Sequence, residues 1–72
     1  MTASQATVLD VLTTHGPLPD HALVPLVQHV AQAKMSSSGI RTRRDELVKA
    51  GKVKQVDQIK MPSGRLASVW GT

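Results

Sequence analysis

The run SSSGIRTRRDELVKAGKVK, positions 36 to 54, gathers hydroxyl, guanidinium and ammonium groups into a short length of chain. Ser36, Ser37 and Ser38 supply hydroxyls; Arg41, Arg43 and Arg44 supply forked cations; Lys49, Lys52 and Lys54 add point charges. Such groups make charge-assisted hydrogen bonds to phosphate oxygens, and arginine also matches the O6 and N7 edge of guanine. They are groups for holding an anion rather than for breaking a bond. No Ser-His-Asp or Cys-His set and no phosphate loop of the Walker type accompanies them, so catalysis is not expected. His15, His21 and His29 have no cysteine or carboxylate partner at a recurrent ligand spacing, and the chain has no cysteine, so neither a metal nor another cofactor is expected.

The charges are segregated along the chain. Residues 1 to 33 hold Asp10 and Asp20 and no lysine or arginine, whereas all 9 basic residues lie from Lys34 onward, against Asp45, Glu46 and Asp57. A formal net charge of +4 therefore conceals a much more positive second half. A one-sided positive field concentrates polyanions near it, which makes nucleic acid the leading partner. Trp70 is the sole aromatic residue. Single-strand and RNA readers stack bases on several rings, so duplex DNA is favoured and Trp70 is read as a core plug. Met35 and Met61 are read as gap-fillers.

These side chains need a scaffold, and 72 residues allow one small domain with a modest core. No stretch approaches the roughly 20 apolar residues of a membrane span, and the N-terminus lacks the pattern of an export signal, so a cytoplasmic protein is expected.

Ala6, Val8, Leu9, Val11 and Leu12 mark a first helix over about 2–15, with positions 5, 8, 9 and 12 on one face. Thr2 and Gln5 form a capping box, and Gly16-Pro17 closes the segment. Prolines 17 and 19 hold the chain extended before a second helix over about 20–33, on which Leu23, Leu26, Val27 and Val30 share a face. Pro25 would interrupt it, so either the helix is kinked there or its regular part begins near Val24 with Pro25 in the first turn, the second being the expectation preferred. Any of Ser36, Ser37 or Ser38 can cap a third helix over about 37–50. With Ile40 as origin and about 100° per residue, Arg41, Asp45, Lys49 and Thr42 fall at about 100°, 140°, 180° and 200°, away from the core. Arg44 shares the inward side with Ile40, Leu47 and Val48.

After Gly51 the period changes. KVKQVDQIKM, PSGR and LASVWGT read as strand, tight turn and returning strand, a hairpin over about 52–70. Val56 breaks the alternation of Val53, Ile59 and Met61, which predicts a bulge or a twist. The expected fold is thus α+β, mainly helical: three helices and a C-terminal hairpin.

Taken together, SSSGIRTRRDELVKAGKV and KVKQVDQIKMPSGRLASVW, in that order over nearly the whole chain, resemble the recognition helix and wing of the winged helix-turn-helix DNA-binding family. More loosely, the chain is similar to the very short winged-helix proteins of bacteriophages and their hosts. The resemblance implies a recognition helix in the major groove and a wing on the flanking backbone or minor groove. On that basis Ser37, Ser38, Arg41, Thr42, Arg43 and Lys49 are the expected DNA-binding residues of the helix, with Lys54, Lys60 and Arg65 on the wing. A transcriptional regulator or a replication or recombination accessory factor is implied, with a homodimer or repeated site needed for selectivity.

Two residues depart from the family's usual pattern. Arg44 stands where an apolar residue is usual; its stem is expected to pack while its guanidinium reaches Asp10, Asp20 or the DNA flank. Asp45 faces the presumed groove, where it repels phosphate unless it accepts from cytosine or pairs with Arg41, four residues back; the pair is the expectation preferred. Two other readings compete with DNA binding. One is a protein-docking module using the uncharged half from Thr2 to Ala33; the other is an antitoxin-like inhibitor that binds DNA for autoregulation.

Overall fold

The computed structural model describes residues 1–72. The chain runs α1 (Ala3–His15), β1 (Leu18–Pro19), α2 (Asp20–Val30), α3 (Ser37–Lys49), β2 (Lys54–Lys60) and β3 (Leu66–Gly71). It is a small α+β domain of three helices and a three-stranded antiparallel sheet, in which the strands lie in the order β1-β3-β2.

Two of the three helices start at a side chain that satisfies a free amide. Thr2 Oγ1 accepts from the Gln5 amide at 3.2 Å while Gln5 Oε1 accepts from the Thr2 amide at 3.0 Å, the reciprocal cap expected from the sequence. Ser36 is the serine that caps α3, accepting from the Gly39 amide at 3.1 Å. For α2 no side chain caps, because the N-cap residue is Pro19, whose ring carries no acceptor. Helix α2 nevertheless begins at Asp20, so Pro25 lies inside it and does not open it. This corrects the expected start near Val24. Proline here removes one hydrogen bond to the His21 carbonyl, and burial of Leu23, Val24 and Val27 outweighs that loss.

The second helix also ends earlier than expected, at Val30. Gln32 and Ala33 adopt φ of 54° and 61°, and their amides donate to His29 O at 3.2 Å and Gln28 O at 2.7 Å. That pair of bonds is a Schellman termination built without glycine. Val30, expected on the buried face, is 52% exposed at the last helical position, where the chain turns away. The third helix closes with the same pair of bonds, from Gly51 N to Val48 O and Lys52 N to Leu47 O, but with glycine at φ 76°.

The core is the meeting of the three helices: Val8, Val11 and Leu12 from α1, Leu23, Val24 and Val27 from α2, Ile40 and Leu47 from α3. Val53 closes it from the segment leading into β2. Leu9, Leu26, Met35, Val48 and Trp70 flank this cluster. Met61 is not among them; it follows β2 at the start of the hairpin turn, where its backbone is hydrogen-bonded to Arg65 and Gly64, a position that replaces the gap-filling role expected for it. The short strand β1 was not anticipated. Leu18 and Pro19 pair with Trp70 and Val69, so the extended link between α1 and α2 becomes an edge of the sheet.

The hairpin carries the expected irregularity. Its register shifts between Gln55 and Asp57, leaving Val56 as the extra residue. At the tip, the Gly64 amide donates to Met61 O at 2.9 Å and the Met61 amide donates to Arg65 O at 2.7 Å. Pro62 and Ser63 form the turn and Gly64, at φ 86°, supplies the left-handed residue that realigns the strands.

Candidate nucleic-acid interface

Side chains two apart on a strand share a face, and directly paired residues share it across strands. On β3 that groups Leu66, Ser68 and Trp70, and the register sets Lys60, Gln58 and Gln55 opposite them. This face turns toward the third helix, because the Arg44 guanidinium lies 4.1 Å from the centroid of the Trp70 ring. Arg41, Arg44, Asp20, His21, Ala67, Ser68 and Trp70 line an open cleft of about 400 Å3 between α2, α3 and β3. Arg41 and the inner face of the hairpin therefore border one concavity.

The nine residues marked for DNA separate into groups. Ser37, Ser38, Arg41 and Thr42 are exposed together on the first half of α3. The Thr42 hydroxyl donates to Ser38 O at 2.9 Å, so its methyl is the freer end. Arg43 is not with them. It turns toward α1, where its Nε sits 2.9 Å from Glu46 Oε1, close enough for an ion pair although the N–H is not aimed for a hydrogen bond. Gln5 Nε2 donates to the same Glu46 oxygen at 3.0 Å, which ties Glu46 and Arg43 to the start of α1. Lys49 stands exposed near the far end of α3, about 12 Å along the axis from Arg41, and pairs with Asp45 at 3.0 Å.

Asp45 therefore serves Lys49, with Arg44 at 3.9 Å, and makes no ion pair with Arg41; this corrects the pairing expected for it. The i,i+4 order with the acid N-terminal is the favourable one on a helix, and it won here. Arg44 binds Asp20, one of the acids the sequence offered, through Nε to Oδ1 at 3.1 Å and Nη2 to Oδ2 at 2.9 Å. Trp70, read as a core plug, is only half-buried: one part flanks the core and its ring face carries Arg44.

On the hairpin, Lys60 and Arg65 flank the tip and Lys54 sits at the base, all exposed. Six residues of strand separate Lys54 from Lys60 by about 20 Å, so the base and tip charges cannot act on one phosphate. Lys34 and Lys52, both exposed, lie outside the set expected from the sequence. Lys34, with Ser4, Met35, Ser36, Gly39 and Arg43, lines a second opening of about 240 Å3 at the start of α3. Its place one residue before Met35 and two before the cap was the available signal.

Ion pairs engage Arg43, Arg44 and Lys49, whereas Lys34, Arg41, Lys52, Lys54, Lys60 and Arg65 make none. No group of three or more histidine, aspartate or glutamate side chains is placed to hold a metal ion. No helix is long and apolar enough to cross a membrane. No family model, curated protein or solved structure matches this chain.

Proposed function

We propose that this chain is a non-enzymatic duplex-DNA-binding protein of the winged helix-turn-helix kind, acting with the DNA in the cytoplasm as a small regulator or accessory factor. In this reading α3 enters the major groove with its serine-led end and Arg41, while the hairpin follows the adjacent backbone or minor groove with Lys60 and Arg65. The observation that carries it is the distribution of unpaired cations. Every lysine or arginine without an acidic partner lies on the turn before α3, on α3 itself, or on the hairpin and the link to it.

Such charges left free by the fold are available to displace counterions from a polyanion. The exposed amides and hydroxyls at the start of α3 add neutral donors for phosphate. The cleft shared by Arg41 and β3 supports joint use of the helix and the hairpin. Docking of a protein partner on the α1–α2 half has less support, since Met1 and Val30 are its only large apolar side chains substantially exposed.

Fluorescence polarisation with a labelled mixed-sequence duplex, titrated across a range of salt, tests the reading. With about four to six phosphate contacts the log-log slope of affinity against salt is near −4 to −5. Binding that ignores salt, or no binding at low salt, removes it. Gel filtration with light scattering, free and with duplex, decides between one copy and two on the DNA.

A further inference from the structure

Arg44 is the cation of α3 that turns furthest inward, with 13% of its side chain exposed against 32% for Arg43 and 77% for Lys49. Its two bonds to Asp20 fix it to the first turn of α2, and its guanidinium is stacked on Trp70 of β3. Three elements therefore meet at one side chain. The backbones of α3 and the hairpin strands hardly approach one another, so the fold offers few other ties between them. All of β2 is exposed, and the hairpin is anchored only along β3 and at Val53.

We propose that Arg44, clamped by Asp20 and stacked on Trp70, is a positioning residue: it sets the hairpin against α3 so that Arg41 and the Lys60–Arg65 tip bear on the same duplex. This rests on the DNA-binding reading above. Arg44 is given no DNA contact in this proposal: its Nε and Nη2 are bonded to Asp20 and its guanidinium lies over the indole. A planar fork that is also a stacking surface is what the site requires, and lysine supplies neither.

The consequence runs against simple charge counting. Asp20→Ala removes a negative charge beside the proposed interface and frees Arg44, so electrostatics alone would tighten DNA binding. The strut predicts the opposite. Without its clamp the hairpin samples more orientations, the Lys60–Arg65 tip no longer stays on the duplex, and affinity falls by about fivefold or more. Arg44→Lys keeps the charge and should show the same loss.

The experiment measures duplex affinity and its salt slope for the wild type, Asp20→Ala and Arg44→Lys, together with 15N relaxation of residues 57–67 and Trp70 emission. Expected are weaker binding, a slope shallower by about two as Lys60 and Arg65 leave the duplex, and lower order in the hairpin. A variant that is merely less stable scales the affinity by its folded fraction and keeps the slope, and that result overturns the proposal. Unchanged or tighter binding by both variants overturns it as well. Should the wild type itself fail to bind DNA, the functional reading falls, and the relaxation data alone decide whether Arg44 holds the hairpin: unchanged order in both variants refutes it.

Discussion

Replacing Gln32 by glycine should stabilise the protein, and the structure contains its own control. Helices α2 and α3 end in the same hydrogen-bonded turn, one with glutamine at φ 54° and the other with Gly51 at φ 76°. A left-handed backbone costs an ordinary L-residue about 1–2 kcal/mol. Glycine removes that strain but gives back about 0.5–1 kcal/mol through the greater freedom of its unfolded chain. Gln32 is exposed and its side chain makes no hydrogen bond, so nothing else is lost. The balance is a gain of about 0.5–1 kcal/mol, which in a domain of this size raises Tm by roughly 3–6 °C. The converse change, Gly51→Gln, should lower Tm by a similar amount. Thermal melts followed by far-UV circular dichroism check both. A Gln32→Gly protein that melts at or below the wild-type temperature, beside a Gly51→Gln protein that melts unchanged, refutes the argument that these turns are strained alike. Well below the midpoint, duplex affinity should not respond to Gln32→Gly, since the turn's geometry is preserved.

Arg41→Ala should weaken duplex binding by about 1–3 kcal/mol, while Lys49→Ala, whose charge already faces Asp45, should change it by less than about 0.5 kcal/mol; polarisation titrations at fixed salt compare them. Asp57→Ala should promote self-association. The alternation counted from the bonded Met61–Arg65 pair points the Gln58 amide to the open edge of β2, where Asp57 Oδ1 accepts from it at 2.7 Å. Light scattering that finds Asp57→Ala as monomeric as the wild type at high concentration contradicts this role. Leu47→Ala, at a site 1% exposed in the centre of the core, should cost about 2–5 kcal/mol, a large share of the few kcal/mol per domain of this length; urea titration measures it.

What could be read from the residues alone follows the range of the interactions involved. Local signals held: the Thr2–Gln5 cap, the serine start of α3, the bulge at Val56 and the tight turn at Pro62–Gly64 all arise from neighbours within a few positions. Signals that depend on distant contacts failed or stayed open. Pro25 looked like a helix start because its local cost is large, and only the burial of Leu23, Val24 and Val27 explains why the helix runs through it. The strand at Leu18–Pro19 has no periodic pattern of its own and exists because Trp70 and Val69 pair with it. Of the candidate site, the outward set on α3 followed from helical angle alone, whereas the choice of partner for each charge did not. Arg43 pairs with Glu46 three residues on, a partner that helical spacing offers, whereas the bond from Gln5 that ties Glu46 to α1 crosses the fold and nothing in the run TRRDE announces it.

On the proposed DNA-binding reading, that choice of partners shapes the kind of binding the chain would perform. The third helix carries four basic side chains, yet Glu46, Asp20 and Asp45 engage three of them, and Arg41 alone is left free on it. The remaining unpaired cations, Lys34, Lys52, Lys54, Lys60 and Arg65, lie off the helix. A single free guanidinium can discriminate one base pair by about 1–3 kcal/mol, while five peripheral lysines and arginines add affinity that is nearly blind to sequence. One copy of this domain should therefore grip many duplexes and rank them narrowly. Selectivity beyond that must come from a second copy on an adjoining half-site or from DNA whose shape suits the hairpin. Random-site selection should return a short, weak consensus centred on one guanine, with a repeat at a fixed interval if two copies bind. A long, sharply defined single site would mean that side chains other than Arg41 read the bases, and that the ion pairs of α3 open on the DNA.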